Sequence, residues 1–188
     1  MKTITYIVIL LGLSSAIISQ NLFCPPGSEW SYSFSFMTYN NTITHTENEK
    51  IIYVRDSIIN SDTCKVLKHS RYFMSGNTNF NTKLTVLKQK ADTVFYRNYT
   101  TQSTWQILYV FSALPGHTWK TFFVSPQSIV RTMTVTVDSV TTVQVNGFNL
   151  KQLRLTLSSN SAYSLYPSKL KVTERLGCNY FLFYNELN

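Results

Sequence analysis

Apolar and polar residues alternate with a period of two through most of this chain, and that rhythm predicts strands rather than helices. Trp30, Tyr32, Phe34 and Phe36 are separated by Ser31, Ser33 and Ser35, which puts four rings on one face and three hydroxyls on the other. The segment Thr42 to Ile58 reads as a longer strand. Asn60-Ser61-Asp62 turns it, and Thr63 to Phe73 returns as its hairpin partner. After the polar stretch Ser75 to Asn81, the segments Thr82 to Gln89 and Thr93 to Tyr99 form a second hairpin across Lys90-Ala91-Asp92. Trp105 to Ser112 is strongly apolar and is expected at the centre of a sheet, ending where Leu114-Pro115-Gly116-His117 forces a turn. Thr118 to Val124 is a short strand stopped by Pro126. Ile129 to Val145 and Phe148 to Ser158 flank Asn146-Gly147, a pair suited to the positive φ angles of a type I′ hairpin. Two more strands are expected near Lys169 to Arg175 and Asn179 to Tyr184.

Nine or ten antiparallel strands in hairpin order predict an all-β meander that is barrel-like, with a two-sheet β-sandwich as the alternative. The chain carries no internal boundary or repeat, so residues 20–188 are expected to form a single domain. Composition agrees: with 12 Tyr, 12 Phe and 3 Trp in 188 residues, and 44% hydrophobic residues, the chain has rings and apolar surface enough for one core.

The exception to the rhythm is the beginning. Lys2 precedes the apolar run Ile4 to Ile18, and the small residues Ser14, Ser15, Ala16 and Ser19 lead to Gln20-Asn21. This layout predicts a secretory signal peptide over residues 1–19, cleaved between Ser19 and Gln20, with a run too short for a comfortable membrane span. A secreted or periplasmic, extracytoplasmic domain follows, not membrane-spanning after cleavage.

In such a compartment Cys24, Cys64 and Cys178 suggest one disulfide and one thiol, with Cys64–Cys178 and Cys24–Cys64 both open. Their spacing offers no structural zinc motif. The formal charge of +8, lowered by one when Lys2 leaves, favours an anionic glycan, a lipid or an acidic envelope protein as partner. Scattered lysines without a groove-binding motif argue against nucleic acid.

Candidate chemistry is sparse. His45, Glu47 and Glu49 alternate and would share a strand face, which could offer one nitrogen and two oxygens to a cation, although a solvated face accounts for them better. His69, between Lys68 and Arg71, reads as part of a basic exposed edge. His117 lies in a Pro-Gly loop without a serine elbow around it. The carboxylates Glu29, Asp56, Asp92, Asp138 and Glu174 are too scattered to nominate a glycosidase pair. No catalytic residue, enzyme activity or cofactor is expected. Trp119, Tyr163 and Tyr166 are the ring-bearing candidates for ligand contact.

Several stretches resemble an uncharacterised secreted all-β domain of Bacteroidota that often precedes a type IX secretion sorting domain. They are Gly27-x-x-Trp30-x-Tyr32, Asp56 to Leu67, Asp92 to Tyr96, Leu108 to Trp119, Asp138 to Leu153 and Glu174 to Phe183. The signature of that domain, LYDFSL-x-x-GDTW, is matched here by LYVFSALPGHTW, with Val110 and His117 in place of its two acidic residues. The resemblance carries no catalytic residues with it. The sequence shows no sorting domain, so periplasmic residence or another release route is expected as readily as type IX export. Asp56-Ser57-Ile58, Asp92-Thr93-Val94 and Asp138-Ser139-Val140 resemble the O-glycosylation acceptor pattern of that phylum.

These observations lead to the expectation of a secreted non-catalytic β domain that binds or packs against an envelope component. A lipocalin-like carrier with a hollow apolar interior is the first alternative, and a small outer-membrane β-barrel the second.

Overall fold

The computed structural model describes residues 22–37, 43–73, 79–98, 104–124, 130–159 and 168–179. All regular structure among them is strand. Strands β1 (Glu29–Met37), β2 (Ile43–Ile59), β3 (Asp62–Phe73), β4 (Asn79–Lys90), β5 (Thr93–Asn98) and β6 (Gln106–Val110) form one antiparallel sheet in chain order. Strands β7 (Thr118–Val124), β8 (Val130–Val145), β9 (Phe148–Ser159), β10 (Lys169–Thr173) and β11 (Gly177–Cys178) form a second one, also in chain order. The expected meander is therefore present, with 11 strands rather than nine or ten.

Turn chemistry fixes the register of each hairpin. Asn60-Ser61 and Asn146-Gly147 both supply two consecutive positive φ angles, 50° and 67°, then 49° and 82°, which join twisted strands through two-residue loops. Ala91 opens the third such loop at φ 49°, a conformation disfavoured for a residue with a Cβ. Period two then sorts the side chains. In β8, Met133, Val135 and Val137 are buried while Asp138 is exposed; in β9, Leu153, Leu155 and Leu157 face inward and Arg154 and Ser158 outward.

The two inner faces meet in one core. Ile51, Leu67, Leu87, Leu108 and Tyr109 from the first sheet pack with Met133, Val135, Leu153, Leu155 and Val172 from the second. Each large aliphatic side chain so buried contributes about 2 kcal/mol of transfer free energy.

The backbone ladder breaks between β6 and β7, across Phe111–His117, and side chains bridge both seams. On one side the Tyr96 hydroxyl in β5 donates to the Phe122 carbonyl in β7 at 2.8 Å. On the other, Trp30 Nε1 and the Tyr32 hydroxyl in β1 donate to the carbonyls of Leu176 (2.6 Å) and Cys178 (3.1 Å). The perimeter is barrel-like, made of two sheets rather than one continuous ladder.

Two expectations are corrected here, and one falls outside the described residues. The apolar segment Trp105 to Ser112 is not central: its strand β6 is the last of the first sheet, and it is apolar because it lines both the core and a seam. Of the expected closing strand Asn179 to Tyr184 only Asn179 is among the described residues; the last described strand is Gly177–Cys178. Finally, Cys24, Cys64 and Cys178 are all free, buried thiols. Cys24 and Cys178 belong to the core between the sheets, whereas Cys64 occupies the outer face of β3, the face opposite Lys65 and Leu67, so the first sheet separates it from the other two.

Strand direction gives the molecule two different ends. The turns at 60–61, 91–92 and 146–147, the β6–β7 connection, the turn 174–176 and the start of β1 share one end. The remaining connections join strands at the other end, and nearly all of their residues are outside the described ones.

Candidate functional site

The turn end is closed by a segment without secondary structure. Phe23 inserts its ring beside Trp30 (centroids 6.1 Å apart), Tyr109 (5.6 Å) and Phe111 (6.5 Å), and its backbone N–H donates to Gln89 Oε1 at 2.7 Å. Cys24 follows in the left-handed region, φ 59°, before Pro25-Pro26-Gly27 turns the chain into β1. Ser28 holds the turn through the Pro25 carbonyl, and its own carbonyl accepts from Tyr53 N–H at 2.9 Å. Burial pushes the Cys24 thiol up to about 12, so it stays protonated.

Between this plug and β3–β5 lies an open cleft of about 320 Å³. Phe23, Leu87 and Val94 supply apolar walls and Thr63, Lys65 and Gln89 bring polar groups to them; Lys88 also lines the cleft, but its ammonium is held over Trp105 on the outer face of the sheet. Lys65 is held by Asp56 at 2.6 Å and Lys88 by Asp62 at 2.8 Å. Those lysines draw the carboxyls of Asp56 and Asp62 below their ordinary range. Lys88 also lies 4.3 Å from the centre of the Trp105 ring, with Arg97 at 5.0 Å from the same centre. An apolar cleft with one ammonium, that of Lys65, and the polar groups of Thr63 and Gln89 at its wall suits a small amphipathic ligand with an anionic head.

A second polar cluster lies inside the first sheet, towards the opposite end. Register sets Glu49 across from Tyr32 on one side and Arg71 on the other, with His69 two residues along β3 on the same face. His69 Nδ1 is 3.2 Å from Glu49 Oε1, and Arg71 Nε is 3.8 Å from it. Burial raises the Glu49 carboxyl, but the hydrogen bond and charge of His69 and the charges of Arg71 and Lys83 more than offset it, leaving it below the ordinary value. Glu49 and His69 expose only 2% and 1% of their side chains. A group so placed cannot meet a substrate from solvent; the cluster positions strands.

Of the expected site residues, Glu47 and Glu49 do share a face with the spacing anticipated, but that face is interior, not solvated. His45 lies in β2 and pairs with Phe36 through the backbone, while its side chain is outside the described residues. Among the described residues no group of three metal-ligating side chains converges. His69 and Arg71 are not a basic exposed edge: both point into the core, where Glu49 compensates them. Trp119 is a core residue, and its buried Nε1 has no hydrogen-bond partner among the described residues. Tyr163 and Tyr166 lie outside the described residues. His117 is exposed, and its Nδ1 accepts from Leu114 N–H within its own turn. Of the three acceptor-like triplets, Asp56 is engaged by Tyr53 and Lys65, and Asp138 accepts from Thr156. Sequence reasoning missed the plug and the cleft; the one available signal was an isolated Phe23 ahead of two prolines.

No family model matches the chain, and comparison with curated proteins and with solved structures gives no match.

Proposed function

We propose that this chain is an exported, non-catalytic β domain of the cell envelope that binds a small amphipathic anion in its turn-end cleft. The cleft carries the reading: apolar walls from Phe23, Leu87 and Val94 beside Lys65 and Thr63. Export is supported by Lys2, the apolar run Ile4 to Ile18 and the small residues up to Ser19. Filled packing between the sheets favours a peripheral cleft over a lipocalin-like lumen, because Leu87, Leu108, Tyr109, Leu153 and Leu155 occupy the space a lumen would need. The polarity of β8 and β9, apolar inward and Asp138, Arg154 and Ser158 outward, runs opposite to that of a small outer-membrane barrel.

Dodecyl phosphate is the probe. Titrated into residues 20–188 and followed by calorimetry, it is expected to bind at one site, and Thr63→Trp, at an exposed position on the cleft wall, is expected to block it. Absence of binding, or equal binding by Thr63→Trp, overturns the proposal. N-terminal sequencing of the exported protein should begin at Gln20.

A further inference from the structure

Seven large hydrophobic side chains are exposed among the described residues, and five of them (Leu22, Ile58, Leu114, Phe148 and Leu176) belong to segments at the turn end. Ile58 is 79% exposed and Leu114 61%. They come from five separate segments: the plug, the β2–β3 hairpin, the β6–β7 connection, the β8–β9 hairpin and the β10–β11 turn. Single exposed aliphatic residues are ordinary on protein surfaces, and side chains at the opposite end lie outside the described residues; five such residues from separate segments at this end still offer it an apolar contact surface.

Two further observations say what covers that pole. The chain enters it from the N-terminal side: Leu22 lies there, and the apolar run Ile4 to Ile18 ends only four residues earlier. If that run acts as a signal peptide, export would bring this pole to the membrane. The charge also fits an anionic surface. Glu29, Asp56 and Asp62 are paired with Lys50, Lys65, Lys88 and Lys90, while Arg55, Lys151 and Arg175 add positive charge against Asp92 and Glu174. Arg175 lies over the ring of Phe148, 5.2 Å from its centre, so one apolar tip and one cation are presented together.

We propose that the turn end docks on the surface of an anionic lipid bilayer, with Ile58, Leu114 and Phe148 dipping into the boundary between headgroups and acyl chains. The cleft opens at the same pole, but this docking does not depend on its being a binding site.

The test is flotation of residues 20–188 with vesicles of phosphatidylcholine alone and with vesicles rich in phosphatidylglycerol. Binding is expected to the anionic vesicles and to weaken with added salt. The double variant Ile58→Ser/Leu114→Ser should lose about tenfold or more in affinity, and Phe122→Ser, an exposed ring on β7 away from the pole, should not. Thr63→Trp should still float, which separates failure of the cleft from failure of the docking surface. No flotation, or equal loss in Phe122→Ser, overturns the proposal. So does self-association in the absence of lipid that Ile58→Ser/Leu114→Ser abolishes, since that would assign the pole to a second copy of the chain.

Discussion

His69 Nδ1 lies 3.2 Å from Glu49 Oε1, and both side chains are almost wholly withdrawn from water. The pair joins β2 to β3 across the inner face, and Arg71 brings its guanidinium to the same oxygen. In a low-dielectric interior this arrangement is costly to assemble and more costly to break, because removing one partner leaves an uncompensated charge. It specifies register more than it adds stability. A slip of one residue would carry Glu49 to the outer face and bring Lys50 in against Arg71.

Glu49→Gln, which keeps the shape and removes the charge, is expected to destabilise the domain by about 3 kcal/mol in urea denaturation. Replacing the whole cluster, as Glu49→Leu/His69→Leu/Arg71→Met, should recover most of that loss. A Glu49→Gln variant within about 0.5 kcal/mol of the parent would show that the cluster is not energetically coupled.

The same cluster sets an acid dependence. The Glu49 carboxyl titrates below its unfolded value, so in acid the unfolded chain binds a proton that the native chain refuses. Its stabilising contribution is full above the ordinary Glu range, near pH 4.3, and is lost as pH falls from there through the lower native value. Urea midpoints measured from pH 7 down to acid should fall more steeply for the parent than for Glu49→Gln. Parallel curves would remove Glu49 from the account. Asp56 and Asp62 are lowered in the same direction, but they sit in solvent and their part is small.

The hairpins were legible in the sequence because a two-residue rhythm and residues tolerant of positive φ are local properties. Asn60-Ser61 and Asn146-Gly147 turn where expected, and the neighbouring strands end within a few residues of their expected limits. Which face of a strand points inward is not local. In β3 the alternation groups Leu67, His69 and Arg71 against Val66, Lys68 and Ser70, and either set could have faced the core. The choice is made by Glu49 on the neighbouring strand and by the outer cover of Lys88, Arg97 and Trp105, with Val86 and Cys64 buried on that outer side. The plug was invisible for a related reason: Phe23 belongs to no period, and only the aromatic ring-neighbours Trp30, Tyr109 and Phe111 give it a place.

Turn geometry makes a paired prediction of opposite sign. Gly147 has φ 82° in the β8–β9 hairpin, a region that costs a residue with a Cβ about 1 kcal/mol, so Gly147→Ala should lower the unfolding free energy by that amount. Ala91 already bears such strain at φ 49°, and Ala91→Asn should raise it by about 0.5 kcal/mol, since Asn tolerates the left-handed region better. Thermal denaturation of the two variants checks both directions. A destabilised Ala91→Asn would mean that the Ala91 methyl group contributes packing that outweighs its backbone strain.

The thiols provide the last prediction. Cys24 and Cys64 are fully enclosed and Cys178 nearly so, and burial raises the titration of the first two, that of Cys24 to about 12. A thiol that is both buried and protonated is a poor nucleophile. Native residues 20–188 should therefore resist an aromatic disulfide reagent at mildly alkaline pH, and three thiols should react once the chain is unfolded. Phe23→Ala, which opens the plug beside Cys24, should let one thiol react in the native state and cost about 3 kcal/mol of stability. Labelling of a single thiol in the unfolded parent, isolated from an oxidising compartment, would instead establish a disulfide. If that bridge involved Cys64, the backbone would have to move, because the first sheet lies between Cys64 and the other two thiols.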